Sequence, residues 1–290
     1  MLPPLPGPPA DPSHPGSLSY TYELEERNLT CGGRELRVYL PKGPAQKVPV
    51  VIYGHGQALN QDHYRETFLH LARKGVAVVY PVYDTGFFGR DWERMARDYL
   101  RLSQCAFNTF SAQLAAEQVV FSGHSKGAYV ASIAAGIASK ESLSPFPSAV
   151  VLFAPADVSP TWLAEISPDS LLTVVHGEAD GVISRELAQN VYLQAAARNK
   201  QFILQRSYLG VTNQDMVAGH FSVLTRRSAF GGGPVGPLHY FGSWKWLLAS
   251  ALDLSRGQRM TDPYLYGALA ADKGLGNQIQ DTIERSMVLD

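Results

Sequence analysis

Six short apolar runs constrain this chain more than any other feature: Val48–Tyr53, Val76–Tyr80, Val119–Phe121, Ala149–Phe153, Leu171–Val175 and Phe202–Leu204. Most are rich in β-branched residues, and none shows the apolar/polar alternation of a half-exposed strand. They read as strands covered on both faces. Helix-compatible segments lie between and after them: His63–Arg73, Asp91–Ala115, Ala128–Ala138, Ser184–Ala197 and Trp244–Leu252. In the second of these, Trp92, Met95, Tyr99 and Leu102 fall at helical spacing. Strands alternating with helices predict an α/β architecture, a mostly parallel central sheet with helices on both faces. Two alternating segments ahead of it, Tyr20–Leu24 and Leu36–Leu40, predict an antiparallel opening. The chain shows no internal repeat.

The ends differ in character from this body. Residues 1–17 are proline-rich, with neither a basic start nor an apolar stretch, so they do not read as a signal peptide. Prolines favour an extended, semi-rigid segment. It reads as a tether or as the trimmed start of a longer precursor, with a proline-rich ligand for another domain as the remaining use. Residues 18–256 read as one domain and 257–290 as a partly helical extension. There Ile279, Ile283 and Met287 fall at i, i+4 and i+8 beside Val288, an apolar stripe that packs back on the body or makes a subunit contact. Oligomeric state is left open.

Gly123-His124-Ser125-Lys126-Gly127 sits between the run Val119–Phe121 and the helix-compatible Ala128–Ala138. G-x-S-x-G between a strand and a helix predicts a tight turn that holds its serine in strained backbone geometry at the top of a sheet. The glycines two before and two after the serine let strand and helix approach. A serine hydroxyl is a poor nucleophile until a base takes its proton, and that base needs a carboxylate to orient it. In such a turn the chain order is serine, acid, histidine. Asp180 is the favoured acid, just past the strand Leu171–Val175. Glu178 stands two residues earlier and points elsewhere. Asp157, after the preceding strand, is a rival, because the acid can move one strand along. Only His220 and His239 follow Asp180. His220 lies in a loop behind Gly219 and is favoured; His239 opens the last helical region beside Tyr240 and Phe241, where packing is the natural role. Asp215 reads as an ordinary loop carboxylate. Backbone N–H groups must face a developing oxyanion, and two fit: that of Lys126, after the serine, and that of Gln57, in the loop Gly54-His55-Gly56-Gln57.

These motifs, over about Ser19 to Leu254, resemble the α/β-hydrolase superfamily, and their arrangement is similar to its dienelactone hydrolase, chlorophyllase and cutinase-like polyester hydrolase branches. The resemblance implies hydrolysis of a small-molecule or polymeric ester through an acyl-enzyme, without a cofactor: Ser125 attacks, His220 shuttles the proton and Asp180 orients it. Thioester hydrolysis, peptide cleavage and acyl transfer use the same machinery. A binding protein that keeps the fold without turnover is the reading from another class. Lys126 stands where glutamine, methionine or arginine is more familiar; its side chain reads as a solvated amine or part of the rim. His124 and Trp162 are candidate substrate contacts, the latter because a tryptophan in a comparable place serves polyester hydrolases; it reads equally as a loop anchor. The stretch Ala154–Ser170 is too short for a large lid, which predicts an open site. Tyr83, Phe87, Phe88 and Trp92 read as core or pocket wall, and Gly231-Gly232-Gly233 as a mobile or closely packed loop near the site.

Composition narrows the rest. The 290 residues carry a net charge of −1 and no basic stripe, which removes the electrostatic footprint of a nucleic-acid binder. No apolar stretch approaches the roughly 20 residues of a membrane span. No Cys or His cluster has metal spacing. At 18%, charged residues are sparse, which leans towards an exported protein whose signal peptide is absent from this chain, without fixing a compartment. Cys31 and Cys105 form one disulfide in an oxidising compartment; two buried free thiols are the preferred reading.

Overall fold

The computed structural model describes residues 7–83, 91–155, 160–207, 217–255 and 282–285. Among these described residues nine strands form one sheet: β1 (Glu23–Cys31), β2 (Arg34–Lys42), β3 (Val48–Gly54), β4 (Ala77–Pro81), β5 (Leu114–His124), β6 (Ala149–Phe153), β7 (Leu171–Gly177), β8 (Asn199–Gln205) and β9 (Thr282–Arg285). Their order is β1-β2-β4-β3-β5-β6-β7-β8-β9. β3 to β8 run parallel, and β1, β2 and β9 pair antiparallel at the edges.

Strand periodicity divides the core into two layers. Val50, Ile52, Val119, Phe121, Val150, Leu152, Leu172 and Val174 point to one face, under α2 (Trp92–Thr109), α3 (Lys126–Glu141) and α5 (Arg185–Gln194). Val51, Tyr53, Val120, Val151, Phe153, Leu171 and Val175 point to the other, under α1 (Arg65–Arg73) and α6 (Trp244–Ser255). A short α4 (Pro160–Ala164) packs on α3. The continuous apolar runs thus come from strands buried on both faces.

Four expectations are corrected. The first strand is Glu23–Cys31 rather than Tyr20–Leu24. It is a charged edge strand without a clean apolar alternation, set instead by its hairpin with β2, whose turn Gly32-Gly33 has φ of 58° and 77°. The helix expected to reach Ala115 ends at Thr109, because Leu114 already pairs with Val48. In the C-terminal extension Ile283 belongs to β9, opposite Ile203, and not to a helix; Ile279, Met287 and Val288 lie outside the described residues. The end of the N-terminal segment is docked: residues 14–17 are buried. Prolines offer no N–H but keep their carbonyls. The Pro15 carbonyl accepts a hydrogen bond from His70 Nε2 (2.7 Å) and that of Pro12 from Lys74 Nζ (3.2 Å).

Cys31 and Cys105 are joined in a disulfide that ties β1 to α2 across 74 residues, so the free-thiol reading does not hold. A loop of that length removes much denatured-state entropy, and reduction is expected to cost about 3 to 4 kcal/mol of stability. Urea unfolding with and without reductant measures it. Coincident midpoints, with two thiols titrating in the denatured, unreduced protein, would show that the pair does not form.

Candidate active site

β5 ends at His124 and α3 begins at Lys126, so Ser125 alone makes the turn. Its φ of 54° and ψ of −120° are rare for a residue with a side chain and cost about 1–3 kcal/mol. Two features hold it there. Its N–H donates to the Phe153 carbonyl at 2.9 Å. The surrounding backbones also pack without room for a Cβ: one on Gly127 would lie 2.1 Å from the Gly54 oxygen, and one on Gly123 would lie 2.3 Å from the Gly127 carbonyl carbon. The loop Gly54–Gln57 is thereby pressed against the first turn of α3, with Gln57 exposed beyond it. Ser125 is partly exposed, and its side chain makes no cap hydrogen bond to α3. A serine at an N-cap ordinarily satisfies the free N–H groups of the first turn. This one does not.

The loop after β7 carries Asp180. One carboxylate oxygen accepts from the N–H groups of Val182 (2.8 Å) and Ile183 (2.9 Å). The other lies 2.8 Å from His220 Nδ1, and both side chains are buried. Burial alone would raise the Asp180 pKa, but the hydrogen bonds from His220, Ile183 and Val182 outweigh it and hold the carboxyl below its ordinary value. The two loops are stitched together: Ala179 N–H donates to the Ala218 carbonyl, which passes within 2.2 Å of where a Cβ on Gly177 would stand. Glu178 turns away and bonds Ser207 N–H. His239 is buried with its Nε2 3.1 Å from the Leu224 carbonyl. Asp157, Asp215, Phe87 and Phe88 lie outside the described residues.

His220 is also tied to the serine turn. His124 Nε2 lies 2.8 Å from the His220 carbonyl oxygen, and the two rings are 4.8 Å apart. His124 is fully buried with both ring nitrogens hydrogen-bonded inside the protein, so it is not the substrate contact expected from sequence. Trp162 is not one either. On α4 its carbonyl abuts Gly136, and its ring lies under Lys140 Nζ at 5.5 Å. Gly136 stands eleven residues along α3 from Ser125, about 16 Å at helical rise. The loop-anchor alternative fits this placement. Lys126 is buried, with Nζ 5.7 Å from the ring of Trp92, rather than solvated. Trp92 in turn packs edge-on against Tyr129. Tyr64 escaped the sequence reading, and Tyr83 was read only as core or pocket wall. Tyr83 stacks on His55 and donates to its carbonyl at 2.6 Å. The Tyr64 hydroxyl accepts from Gly56 N–H at 3.0 Å. Neither position carries a local signal. Among the described residues, no group of three or more His, Cys, Asp or Glu is placed to hold a metal.

A mostly parallel, doubly covered sheet with a strained serine at the strand–helix turn after its fifth strand defines the α/β-hydrolase fold. No protein-family model matches the chain, and no curated protein matches it in sequence. Among solved structures, the chain is similar to one from a study of two fungal esterases of Rhizomucor miehei and their substrate specificity. The match has a TM-score of 0.62 and 17% identity, and covers 82% of this chain and 86% of the other. Such a likeness carries the fold, which hosts many activities.

Proposed function

We propose that the protein is a serine hydrolase of carboxylic esters, with Ser125 as nucleophile, His220 as general base and Asp180 as the carboxylate that orients it. One observation carries this reading: a serine held at a φ of 54°, not used as a helix cap, directly follows His124, whose ring bonds the backbone of His220 in a buried histidine–aspartate pair 2.8 Å apart. Ser125 Oγ attacks the ester carbonyl carbon and its proton passes to His220 Nε2. The carbonyl oxygen takes the negative charge, faced by the N–H groups of Lys126 and Gln57. The tetrahedral intermediate collapses, the alcohol leaves with the proton from His220, and the acyl group stays on Ser125. Water, deprotonated by His220, then releases the acid.

Two features bear on the substrate. A cavity of about 710 Å³ opens beside His220, and Val217, Phe221, Phe230 and Arg227 are in its wall. Phe221 and Phe230 are stacked, and Val217 and Phe230 are about half exposed, which supports an apolar acyl or aryl group. Between β6 and β7 the described residues contribute α4 alone, in keeping with a site without a large lid. The position of Trp162 withdraws one reason for favouring polyesters.

A fluorophosphonate probe, followed by peptide mass mapping, is expected to label Ser125. p-Nitrophenyl esters are expected to be hydrolysed, best with apolar acyl chains, and Ser125→Ala is expected to lose both labelling and turnover. A well-folded wild type that neither labels nor hydrolyses esters would point instead to a non-catalytic binding protein on this fold.

A further inference from the structure

Three segments far apart in sequence meet through two buried side chains. Gly56 N–H lies 3.0 Å from the Tyr64 hydroxyl, that hydroxyl lies 3.0 Å from His124 Nδ1, and His124 Nε2 lies 2.8 Å from the His220 carbonyl oxygen. Proton positions follow from what each end can do. The Gly56 N–H can only donate, so the Tyr64 oxygen accepts and its single proton goes to His124 Nδ1. The His220 carbonyl can only accept, so His124 carries its proton on Nε2. Every group is satisfied by one arrangement, with a neutral His124 ring. Burial, followed by the neighbouring His220, pushes the pKa of His124 down to about 3, which keeps the ring neutral across the physiological range. Both side chains are fully buried, and a Cβ on Gly56 would come within 3.1 Å of Tyr64 Oη and of His124 Nδ1, so the chain of bonds has no slack at that end.

We infer that Tyr64 and His124 are positioning residues that lock the oxyanion loop and the backbone of the base to the serine turn in a single geometry. The inference rests on the reading of Ser125, His220 and Gln57 given above. Gly56 immediately precedes Gln57: the bond from Gly56 N–H to Tyr64 anchors one side of the Gly56 backbone and the Leu59 N–H donated to the Gly56 carbonyl (3.2 Å) the other, and together they set where the Gln57 N–H points. The bond from His124 to the His220 carbonyl holds the backbone that carries the imidazole, while Asp180 holds the ring at Nδ1. One residue thus sets both the distance between strand end and base and, through Tyr64, the donor for the oxyanion. Neither touches substrate.

The test compares Tyr64→Phe, His124→Phe and His124→Gln with wild type, with kcat counted per active site titrated by the burst of p-nitrophenol and well below each melting temperature. Tyr64→Phe leaves Gly56 N–H and His124 Nδ1 without their shared partner, and His124→Phe breaks both links. Displacements approaching 1 Å at the reacting groups cost on the order of 100-fold. kcat and the rate of fluorophosphonate labelling are therefore expected to fall together by roughly 10- to 100-fold, with KM nearly unchanged. Glutamine reaches the His220 carbonyl with a terminal N–H and is expected to recover most of the loss, even where it melts as low as His124→Phe. A purely structural role would make kcat per titrated site follow melting temperature and deny glutamine any rescue. That result, or unchanged kcat in Tyr64→Phe and His124→Phe, overturns the inference. A wild type inert to the probe and to esters overturns the hydrolase reading instead. In that case the nitrogen-15 shifts of the wild-type His124 ring still decide the relay: a proton on Nδ1 rather than Nε2 overturns it.

Discussion

Asp180→Asn is expected to lower kcat on p-nitrophenyl esters by about 10⁴-fold, or about 5.5 kcal/mol of transition-state stabilisation, while leaving the protein folded. The magnitude is that of the same substitution in the serine protease triad, and the geometry here gives the same cause. One oxygen of Asp180 is engaged by the Val182 and Ile183 N–H groups and the other by His220 Nδ1. Asparagine has one oxygen and one NH₂ group. The two backbone donors claim the oxygen, which leaves the NH₂ facing Nδ1. That nitrogen must then accept, so the proton of the ring moves to Nε2, the nitrogen needed to take the serine proton. The ring stays in place in the wrong tautomer. Glu178→Gln is the control: its carboxylate bonds Ser207 N–H, away from the histidine, and the amide keeps an acceptor there. Its kcat is expected to stay near wild type. Steady-state kinetics with circular dichroism as a check on folding measures both. A loss below tenfold in Asp180→Asn would show that another carboxylate orients the base.

That the pairing of Asp180 with His220 was legible in the sequence reflects where the information lies. Strands β3 to β8 are covered on both faces, so each is an apolar run that sequence displays directly. The serine turn is local, fixed by glycines whose missing Cβ atoms the backbone contacts require. Chain order then left two histidines and few carboxylates. What sequence did not display is what depends on contacts between distant segments. His124 looked like a substrate contact because it adjoins Ser125, but its side chain is spent on Tyr64 and His220, 60 and 96 residues away. Trp162 follows the right strand, yet α4 carries it along α3 away from the serine. The prolines of the N-terminus suggested a tether; the docking of residues 14–17 depends on His70, more than 50 residues downstream. β1 was displaced because an edge strand has no burial pattern to read, although the Gly32-Gly33 pair is itself a hairpin signal.

Buried neutral histidines predict a steep loss of stability in mild acid. His70, His124 and His239 are each almost wholly inaccessible. Burial pushes their pKa values down to about 3, about 3 and about 4 respectively. Each is hydrogen-bonded as a neutral ring. His70 Nε2 donates to Pro15 and the ring stacks on Trp244 at 4.0 Å. His239 Nδ1 accepts from Gly236 N–H at 3.1 Å, so a proton added there would set donor against donor. The unfolded chain takes up these protons near pH 6.5 and the folded one does not. Stability is therefore complete above about pH 6.5 and is lost as pH falls towards the folded values. At pH 5 each histidine costs about 2 kcal/mol relative to pH 7.5, and the three together about 6 kcal/mol. His176 shifts the same way, chiefly through burial. Asp180 has the same sign of dependence in a lower window: its depressed pKa contributes stability above the ordinary carboxylate range and loses it only below about pH 4. A loss of 6 kcal/mol is large against the roughly 5–15 kcal/mol of a typical domain. Urea unfolding at pH 7.5 and 5.0 is expected to reveal it, and His239→Gln is expected to remove about 2 kcal/mol of the difference. Equal stabilities at the two pH values would mean that these rings accept protons within the fold, in which case His124 could not hold the neutral state on which the link from Tyr64 to His220 depends.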